Sequence, residues 1–586
     1  MYSAHELLTR WPALDVAAKR ARLNNSLHLS PGLAEAVASS AATAERAASG
    51  LWRADASVWS RDPETQNAIA DRFGWMSSPV LMADSIDRLH TFAASIKRYG
   101  FTDVVLLGMG GSSLAPEVLR AVIGVAQGWP RLHMLDSTDP AAVRGAATPP
   151  DRTLYLLASK SGTTIEPNSL AAHYRQRLQD AGIPRWAEHF VAITDEGTDL
   201  ARRARAEHFR DLFINPSDIG GRYSALSFFG MVPAALMGQD VAEIIGWSLA
   251  MLAAFEPGAT AAVANPAVAL GLVMGVGAKD GRDKLTLIAP PALDAFGLWV
   301  EQLIAESTGK NGTGIVPIAG EPLAAPAVYG IDRLFVRMRM HGAPGEDARE
   351  AGVRALKSAL TPVVDIDLPE PLALGAEFMR WEIATAIAGA ILEINPFDQP
   401  NVQQAKDATN VLLTEYRTKG RLPIAAPDSI VGGIALTLTS AARAALPKTS
   451  ADTLLTLLRP GDYFALLAYL GPDPTLAEEL QTLRRAVRDR ARVATMFGYG
   501  PRYLHSTGQL HKGGPNSGAF VLISATPRED VPIPDEPFSF GTLELAQAVG
   551  DFNSLEAAGR RAVHAHLPSP NRAPIRALAT ALLARL

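Results

Sequence analysis

Two loops rich in glycine and small hydroxyl residues each follow a short apolar run of the β type. Residues 108–113 read GMGGSS, and residues 159–164 read SKSGTT. Glycine lets the backbone approach an anion closely, and the start of a helix offers unpaired N–H groups. A serine or threonine at a helix start is an N-cap by default. Because two such loops occur in consecutive strand–helix units, we favour a phosphate-monoester site over a coincidence of caps.

A carboxylate in the segment 293–308 has the setting that a general base needs. With helical spacing the apolar residues of this segment form one stripe, and Gln302 and Glu306 lie one turn apart at its edge. A carboxylate at the margin of an apolar face can have its pKa raised by desolvation, which suits proton transfer near neutrality. A glutamate in a last helical turn is usually solvated, so the pattern alone makes Glu306 only a candidate.

Two cationic side chains have unusual surroundings. Lys406 falls in the apolar stripe of a helix that we predict to have Asp398 as its N-cap and Pro400 near its first position. Two interpretations stand equally: the lysine snorkels to the rim of the stripe, or it is partly desolvated beside a polar site. Arg222, next to Gly221 in a Gly-Gly turn, either pairs with a core carboxylate or stabilises an anionic intermediate.

A glycine-rich loop at residues 500–520 concentrates His505, His511 and Lys512 just before a predicted strand. Loops at sheet ends are where functional groups gather. Either histidine is also compatible with an ordinary surface position, so the loop by itself is only suggestive.

The composition of the chain restricts the classes of function. It has 586 residues, no cysteine and a formal net charge of -5. The lack of cysteine excludes disulfides, thiolate metal sites and cysteine nucleophiles, and the small net charge argues against nucleic-acid binding. The most apolar stretch, 261–277, is shorter than the ~20 residues of a membrane span, which predicts a buried helix. With no signal peptide apparent, we expect a cytoplasmic protein that does not enter the membrane.

The alternation of strands and helices predicts an α/β protein of several units. We expect a helical N-terminal segment over 1–75 and two three-layer αβα domains with parallel sheets over 76–255 and 256–420. A C-terminal α/β extension over 421–586 would carry the histidine loop. The clearest predicted strands are 104–107, 132–135, 154–157 and 191–194. Further strand-like runs occur at 284–290, 464–470 and 519–525.

Taken together, these segments resemble the phosphoglucose isomerase family. GMGGSS, ASKSGTTIE, GGRYSALSFFG, EQLIAESTGKNGTGI and NPFDQPNVQQAK occur in the family's order between residues 108 and 406. The chain looks most like the isomerase half of the fused bacterial transaldolase–phosphoglucose isomerase proteins. The resemblance implies two sugar-isomerase (SIS) domains. It also implies a glucose-6-phosphate isomerase activity of glycolysis and gluconeogenesis, which interconverts glucose 6-phosphate and fructose 6-phosphate without a metal or organic cofactor.

The resemblance also implies roles for single residues. Glu306 would move a proton between C2 and C1 through a cis-enediol(ate). Arg222 would stabilise the negative charge of that intermediate, and Lys406 would assist ring opening or bind near the ring oxygen. The phosphate and sugar contacts that it implies are Ser159, Lys160, Ser161, Thr164, Gly110, Ser112, Gly221, Gln302 and Gln399.

The ring-opening histidine departs from the family's pattern. In the family it precedes the NPFDQ-type motif and usually comes from the partner subunit of a dimer. Here the only histidine between Glu306 and that motif is His341, whose surroundings do not match. We predict that His511 of the C-terminal extension replaces it in cis, with His505 as the alternative. The chain is then either a homodimer or a monomer whose site is completed in cis.

Two other functions are compatible with these motifs. A dual phosphoglucose/phosphomannose isomerase would also convert mannose 6-phosphate. A non-catalytic SIS-domain sensor would only bind a sugar phosphate, but a pure binder has no need of the Glu306, Arg222 and Lys406 set. Besides the small-molecule sugar phosphate, a separate transaldolase is a candidate partner.

Overall fold

The N-terminal segment is mainly helical, as predicted. The computed structural model describes residues 2–446 and 450–586. Within residues 1–75, an all-helical prediction misses β1 (Ser26–His28), which joins the edge of a later sheet. The helices of residues 1–75 are α1 (Ala4–Thr9), α2 (Val16–Ala21), α3 (Pro31–Trp52) and α4 (Pro63–Ala70). Two further helices, α5 (Ser78–Ala83) and α6 (Ile86–Tyr99), precede the first sheet.

The first sheet carries both glycine-rich loops at one edge. Its parallel strands are β2 (Asp103–Leu107), β3 (Arg131–Leu135), β4 (Thr153–Ala158), β5 (Phe190–Asp195) and β6 (Asp211–Asn215). Its helices are α7 (Leu114–Val122), α8 (Pro140–Gly145), α9 (Ile165–Asp180), α10 (Asp199–Ala206), α11 (Phe228–Leu236) and α12 (Val241–Phe255). The order β3-β2-β4-β5-β6 reverses direction between β2 and β4. The carboxyl ends of these two strands therefore form a topological switch point, where ligands bind in sheets of this kind.

The second sheet follows the same plan. Its parallel strands are β7 (Lys284–Ile288), β8 (Val316–Ile318), β9 (Arg333–Met340) and β10 (Val363–Leu368), and β1 pairs antiparallel with β10. Its helices are α13 (Pro266–Lys279), α14 (Asp294–Thr308), α15 (Glu346–Ser358), α16 (Leu374–Ile391) and α17 (Pro400–Lys419). The buried α13 confirms the helix predicted in the most apolar stretch. Within the described ranges, none of the helices combines the length and the apolar character that a bilayer-crossing helix needs.

The C-terminal extension forms a third sheet. Its strands are β11 (Ser429–Val431), β12 (Ile434–Leu438), β13 (Tyr463–Tyr469), β14 (Ala494–Tyr499), β15 (Gly518–Ala525) and β16 (Arg561–Leu567). Its helices are α18 (Ser440–Ala445), α19 (Pro474–Ala491), α20 (Gly508–Gly513), α21 (Phe540–Ala557) and α22 (Arg572–Leu583). The parallel strands run in the order β14-β13-β15-β16, which repeats the order β3-β2-β4-β5 of the first sheet and β8-β7-β9-β10 of the second.

The predicted α/β class with parallel sheets is confirmed, and each strand predicted from the sequence lies in one of the three sheets. Strands β2, β4 and β5 are buried throughout, which explains why they appear in the sequence as continuous apolar runs. The ranges 76–255, 256–420 and 421–586 each contain one of the sheets apart from β1, and their boundaries stay predictions.

A buried ion pair fixes the segment that carries the two candidate histidines. Lys512 on α20 and Asp551 on α21 approach to 2.6 Å, and both side chains are 1% exposed. The hydroxyl of Tyr503 also donates a hydrogen bond to Asp551, at 2.5 Å. Asp551 therefore holds the chain on both sides of residues 504–511.

We expect Lys512→Met to lower the free energy of unfolding by about 3–5 kcal/mol, because it leaves the buried Asp551 carboxylate without its cation. Lys419→Met is the control. Its pair with Glu415 joins side chains that are 60% and 29% exposed, and such pairs contribute at most about 0.5 kcal/mol. Urea unfolding followed by circular dichroism measures both, and equal losses in the two variants would contradict the structural role of the Lys512–Asp551 pair.

Candidate active site

A cavity of about 490 Å³ lies at the switch point of the first sheet, at the carboxyl ends of β2 and β4. Helix α14, the turn around Arg222, the start of α17 and the segment 502–505 complete its walls. Of the predicted site residues, those that line it are Gly110, Ser112, Ser159, Lys160, Ser161, Thr164, Gly221, Arg222, Gln302, Glu306, Gln399, Lys406 and His505. The structure thus brings together every predicted site residue except His511.

The second glycine-rich loop leads directly into α9. Within the loop the hydroxyls of Ser159 and Thr164 are 3.1 Å apart, and Gly162 N–H donates to Ser159 Oγ at 3.1 Å. Thr164 is the N-cap residue of α9, yet no described side chain accepts a hydrogen bond from the helix start. The free N–H groups and the helix dipole make this end of the cavity suitable for a phosphate.

Lys160 lies at the rim of this loop. Its Nζ donates to the carboxylate of Asp195, at the end of β5, and to the carbonyl oxygen of Ser217 at 2.9 Å. Its side chain is 28% exposed. The ammonium group is therefore held beside the loop and stays within reach of an anion in the cavity.

Two adjacent glycines let three chain segments meet at the cavity floor. Gly110 has φ +53°, and a Cβ placed on it would lie 2.6 Å from the carbonyl oxygen of His505. A Cβ on Gly111 would lie 1.9 Å from the carbonyl oxygen of Gly221. Glycine is required at both positions, because any side chain would separate the first loop from the turn before Arg222 and from the histidine segment.

Glu306 faces a cation as well as the apolar stripe. Its Oε1 lies 3.3 Å from Arg222 Nη1, and its Oε2 accepts a hydrogen bond from Gln302 Nε2 at 3.2 Å. Gln302 Nε2 also donates to the His505 carbonyl oxygen at 2.7 Å. The carboxylate is therefore fixed by an amide from its own helix and by a guanidinium from a neighbouring turn.

Arg222 is almost fully buried, with 2% of its surface exposed. Nε donates to Ser307 Oγ at 2.7 Å, Nη1 to Gln399 Oε1 at 3.0 Å, and Nη2 to the carbonyl oxygens of Pro396 and Asp398 at 2.7 and 2.9 Å. The guanidinium pairs with the Glu306 carboxylate and also lines the cavity, and the stabilisation of an anionic intermediate stays a prediction.

Asp398 is not the N-cap of α17, contrary to the prediction. Gln399 occupies the cap position without a side-chain cap bond, while Asp398 accepts from Lys310 Nζ at 2.5 Å. Lys310 also donates to the carbonyl oxygens of Asn395 and Asp398. Burial first, and then the nearby Arg222, lower the pKa of Lys310 to about 8. The carboxylate is thus used to hold the loop before α17 rather than to cap the helix.

Lys406 is exposed, and the buried residues of α17 are Ala405, Thr409, Leu412 and Leu413. The predicted stripe was therefore displaced by about one position around the helix. Lys406 therefore neither crosses a buried stripe nor is desolvated, and it lines the cavity as an exposed lysine.

His505 lies on the cavity wall and is held by a buried carboxylate. Its Nε2 is 2.9 Å from Glu166 Oε1, and Gln547 Nε2 donates to the same oxygen at 2.7 Å. Burial alone would raise the pKa of Glu166, but the facing His505 outweighs it and holds the pKa below its usual value. The imidazole therefore faces an ionised acceptor.

His511 does not reach the cavity, and the prediction that it lines the site is wrong. It is 1% exposed in α20, packed against Tyr463, Tyr503 and Phe520, with Nδ1 3.3 Å from the Tyr463 hydroxyl. Burial lowers the pKa of His511 well below its usual value. The glycines around it, which suggested an open loop, instead form a short buried helix.

Several groups around the cavity escaped prediction from the sequence. Glu166 was present in the quoted motif ASKSGTTIE but was not singled out, although it follows the phosphate loop directly. Lys310 stands in the equally quoted STGKNGTG. Gln547 lies on α21, far along the chain from any motif, and nothing in its surroundings in sequence indicates a role.

Comparisons with known proteins show what this chain is similar to. A family model described as phosphoglucose isomerase matches residues 86–319. A glucose-6-phosphate isomerase of Thermosynechococcus vestitus is 30% identical over 400 residues, covering 61% of this chain and 75% of that protein. A glucose-6-phosphate isomerase of Rubrobacter xylanophilus is 31% identical over 368 residues, covering 54% and 84%. The family-model match ends before Lys406 and His505.

A solved structure resembles the fold. The crystal structure of a hypothetical protein from Thermus thermophilus superposes with a TM-score of 0.54 and 26% sequence identity, and it covers 67% of this chain and 100% of that one.

We expect Lys160→Met to weaken the binding of inorganic phosphate by about tenfold or more, because a hydrogen bond to a charged group contributes about 1.5–3 kcal/mol. Isothermal titration calorimetry at fixed ionic strength measures the dissociation constant. Lys97→Met serves as the control, since Lys97 lies outside the cavity above the ring of Trp129. Equal affinities in the wild type and Lys160→Met would remove Lys160 from the phosphate site.

Proposed function

The chain belongs to the phosphoglucose isomerase family, and we propose that it interconverts glucose 6-phosphate and fructose 6-phosphate with the residues of this cavity. The observation that carries the proposal is the arrangement of Glu306, Arg222 and Gln302 opposite a helix start rich in hydroxyls. A base, a fixed cation and a phosphate subsite in one cavity are what an aldose–ketose isomerisation of a sugar phosphate requires.

The phosphate would bind at the start of α9. Ser159, Ser161 and Thr164 offer hydroxyl donors, and the uncapped N–H groups of the helix add backbone donors. Lys160 would exchange part of its contact with Asp195 for the phosphate. Gly110 and Ser112 of the first loop, together with Gly221, would line the sugar beyond it.

Ring opening would use His505 and Lys406. The anomeric hydroxyl must lose a proton and the ring oxygen must gain one, so two groups of suitable chemistry are needed. Because the Glu166 carboxylate can only accept, Nε2 of His505 carries the proton in that contact, and Nδ1 remains for the substrate. Lys406 at the rim would bind near the ring oxygen.

Proton transfer between carbons would use Glu306. Starting from fructose 6-phosphate, the carboxylate takes a proton from C1, and the electron pair forms the C1–C2 double bond of a cis-enediol(ate). The same proton is returned to C2, while a proton moves from the C1 oxygen to the C2 oxygen. Gln302 and Gln399 would position the sugar, and the buried Arg222 would stabilise the negative charge without having to reorganise.

Since His505 belongs to the same chain as Glu306, we propose that the site is completed in cis, so that no partner subunit has to supply a histidine. Homodimerisation, association with a separate transaldolase and a cytoplasmic location stay proposals. The described contacts of the catalytic cavity depend on none of them.

We expect Glu306→Gln to lower kcat by roughly a thousandfold or more, because the loss of a proton-transfer base removes several kcal/mol of transition-state stabilisation. Glu301→Gln is the matched control on the same helix. Glu301 Oε1 accepts from Ala319 N–H at 3.0 Å, away from the cavity, and burial raises the pKa of Glu301 to about 8. It is thus already largely protonated at pH 7, and the isosteric amide should leave kcat unchanged.

A coupled assay of fructose 6-phosphate conversion in the presence of EDTA makes this measurement. An inactive wild type whose melting temperature still rises with fructose 6-phosphate would show a sugar-phosphate sensor instead of an enzyme. Assaying mannose 6-phosphate in parallel distinguishes a dual isomerase.

We expect His505→Asn to lower turnover of cyclic fructose 6-phosphate by about a hundredfold or more, since general acid–base groups contribute at least this factor. His511→Asn, its matched control in the same segment, should reduce stability but keep kcat per folded molecule. Thermal unfolding corrects for the folded fraction. If turnover is lost only in His511→Asn, His511 and not His505 is the histidine that opens the ring.

A further inference from the structure

A glutamine on the C-terminal sheet's helix α21 contacts the carboxylate that holds His505. We propose that Gln547 is a positioning residue for ring opening, which fixes Glu166 so that His505 presents Nδ1 to the sugar. The inference rests on the proposed function and concerns a residue that the family's motifs do not include.

The contacts form a continuous buried chain. Thr138 Oγ1 donates to Gln547 Oε1 at 2.8 Å, Gln547 Nε2 donates to Glu166 Oε1 at 2.7 Å, and His505 Nε2 lies 2.9 Å from that same oxygen. Thr138, Gln547 and Glu166 are 0%, 2% and 3% exposed. Water is thus a poor substitute for any of these partners.

The carboxylate of Glu166 determines the orientation of the amide, and the hydroxyl of Thr138 is compatible with it. The NH₂ group is the end that faces Glu166, and the Gln547 oxygen accepts from this hydroxyl. In the reverse orientation two oxygens would oppose each other across the carboxylate contact, because an ionised carboxylate cannot donate. The side chain therefore acts as a donor toward Glu166 and holds it in one rotamer.

Two donors on one carboxylate oxygen keep Glu166 ionised and aligned. The titratable groups that face Glu166 are His505, Lys406 and Tyr469. A hydrogen bond that is made to the charged form stabilises that form. Removing the amide would leave the carboxylate with one fewer donor at Oε1, would raise its pKa and would let it rotate away from the imidazole.

This series of hydrogen bonds also joins parts of the fold that are far apart in the sequence. Thr138 follows β3, Glu166 lies in the first turn of α9, and Gln547 and His505 both belong to the third sheet's unit. The C-terminal unit therefore supplies the imidazole together with the amide that orients the imidazole's partner. This pairing explains why Gln547 is buried at a boundary between units rather than replaced by an apolar residue.

The test compares a substrate that must open with one that is already open. For Gln547→Leu we expect turnover of fructose 6-phosphate to fall by about tenfold to a hundredfold, as for other residues that orient a functional histidine. Turnover of 5-deoxy-fructose 6-phosphate, which lacks the hydroxyl that closes the furanose ring, should stay at the wild-type value. The acid limb of kcat/KM should move to higher pH, because Glu166 then takes up a proton more easily.

Thr138 offers an independent variant outside the cavity. Thr138→Val removes the hydroxyl that anchors the amide oxygen and should give a smaller loss with the same preference for the open substrate. Thr138→Ser retains a hydroxyl and should restore wild-type behaviour. If Gln547→Leu does not fold, this pair decides the question alone.

Equal losses on both substrates would show that Gln547 only supports packing, and wild-type values on both would show that the contact has no role. Either result overturns the inference while leaving Glu306-dependent isomerisation intact. A wild type that converts neither substrate would instead refute the proposed function itself, and the inference would be refuted with it.

Discussion

The cavity depends on the hydrogen bonds that the buried guanidinium of Arg222 donates. The guanidinium donates to α14 through Ser307, to the loop before α17 through the carbonyl oxygens of Pro396 and Asp398, and to Gln399, and it lies beside Glu306. A buried cation is costly unless its donors are satisfied, so these segments must converge wherever Arg222 lies. The charge that would stabilise an enediolate is therefore also the charge that assembles the wall around it, and preorganisation follows from folding rather than from substrate binding.

Close backbone approach is the second constraint, and it explains the glycines better than phosphate binding alone. The sequence suggested that residues 108–113 cradle an anion, yet Gly110 and Gly111 are needed because the carbonyl oxygens of His505 and Gly221 lie where a Cβ would be. The loop at residues 108–113 contacts the turn before Arg222, and Arg222 in turn donates to Ser307 on α14 of the second unit. The same loop contacts the histidine segment of the third unit. The cavity lies at this junction because no side chain intervenes there.

Much of the fold and of the site could be predicted from the sequence, and the failures have physical reasons. Fully buried strands such as β2 and β4 appear as apolar runs, and a loop between a strand and a helix is local in the chain, so its chemistry can be inferred. The prediction that Asp398 caps α17 is wrong because cap rules consider only neighbouring residues. Its partner, Lys310, lies in a turn that is distant in the sequence. His511 and His505 stand six positions apart among similar glycines, and only the tertiary packing of α20 shows that one is buried and the other faces the cavity. Gln547 could not be found, because its role exists only through contacts with Glu166 and Thr138.

The three sheets share one strand order, and each contributes a different wall of the cavity. Each of the three sheets places the carboxyl ends of its central strands at a switch point, and the candidate cavity lies at the one between β2 and β4. The second sheet contributes α14 with its carboxylate, and the third contributes the segment after β14 that ends at His505. Because the third unit packs against the first, His505 lies on the wall of a cavity that is formed mainly by the first two units. The buried contact between Gln547 and Glu166 joins the third unit to the first beside His505, so the position of this imidazole depends on how the two units pack.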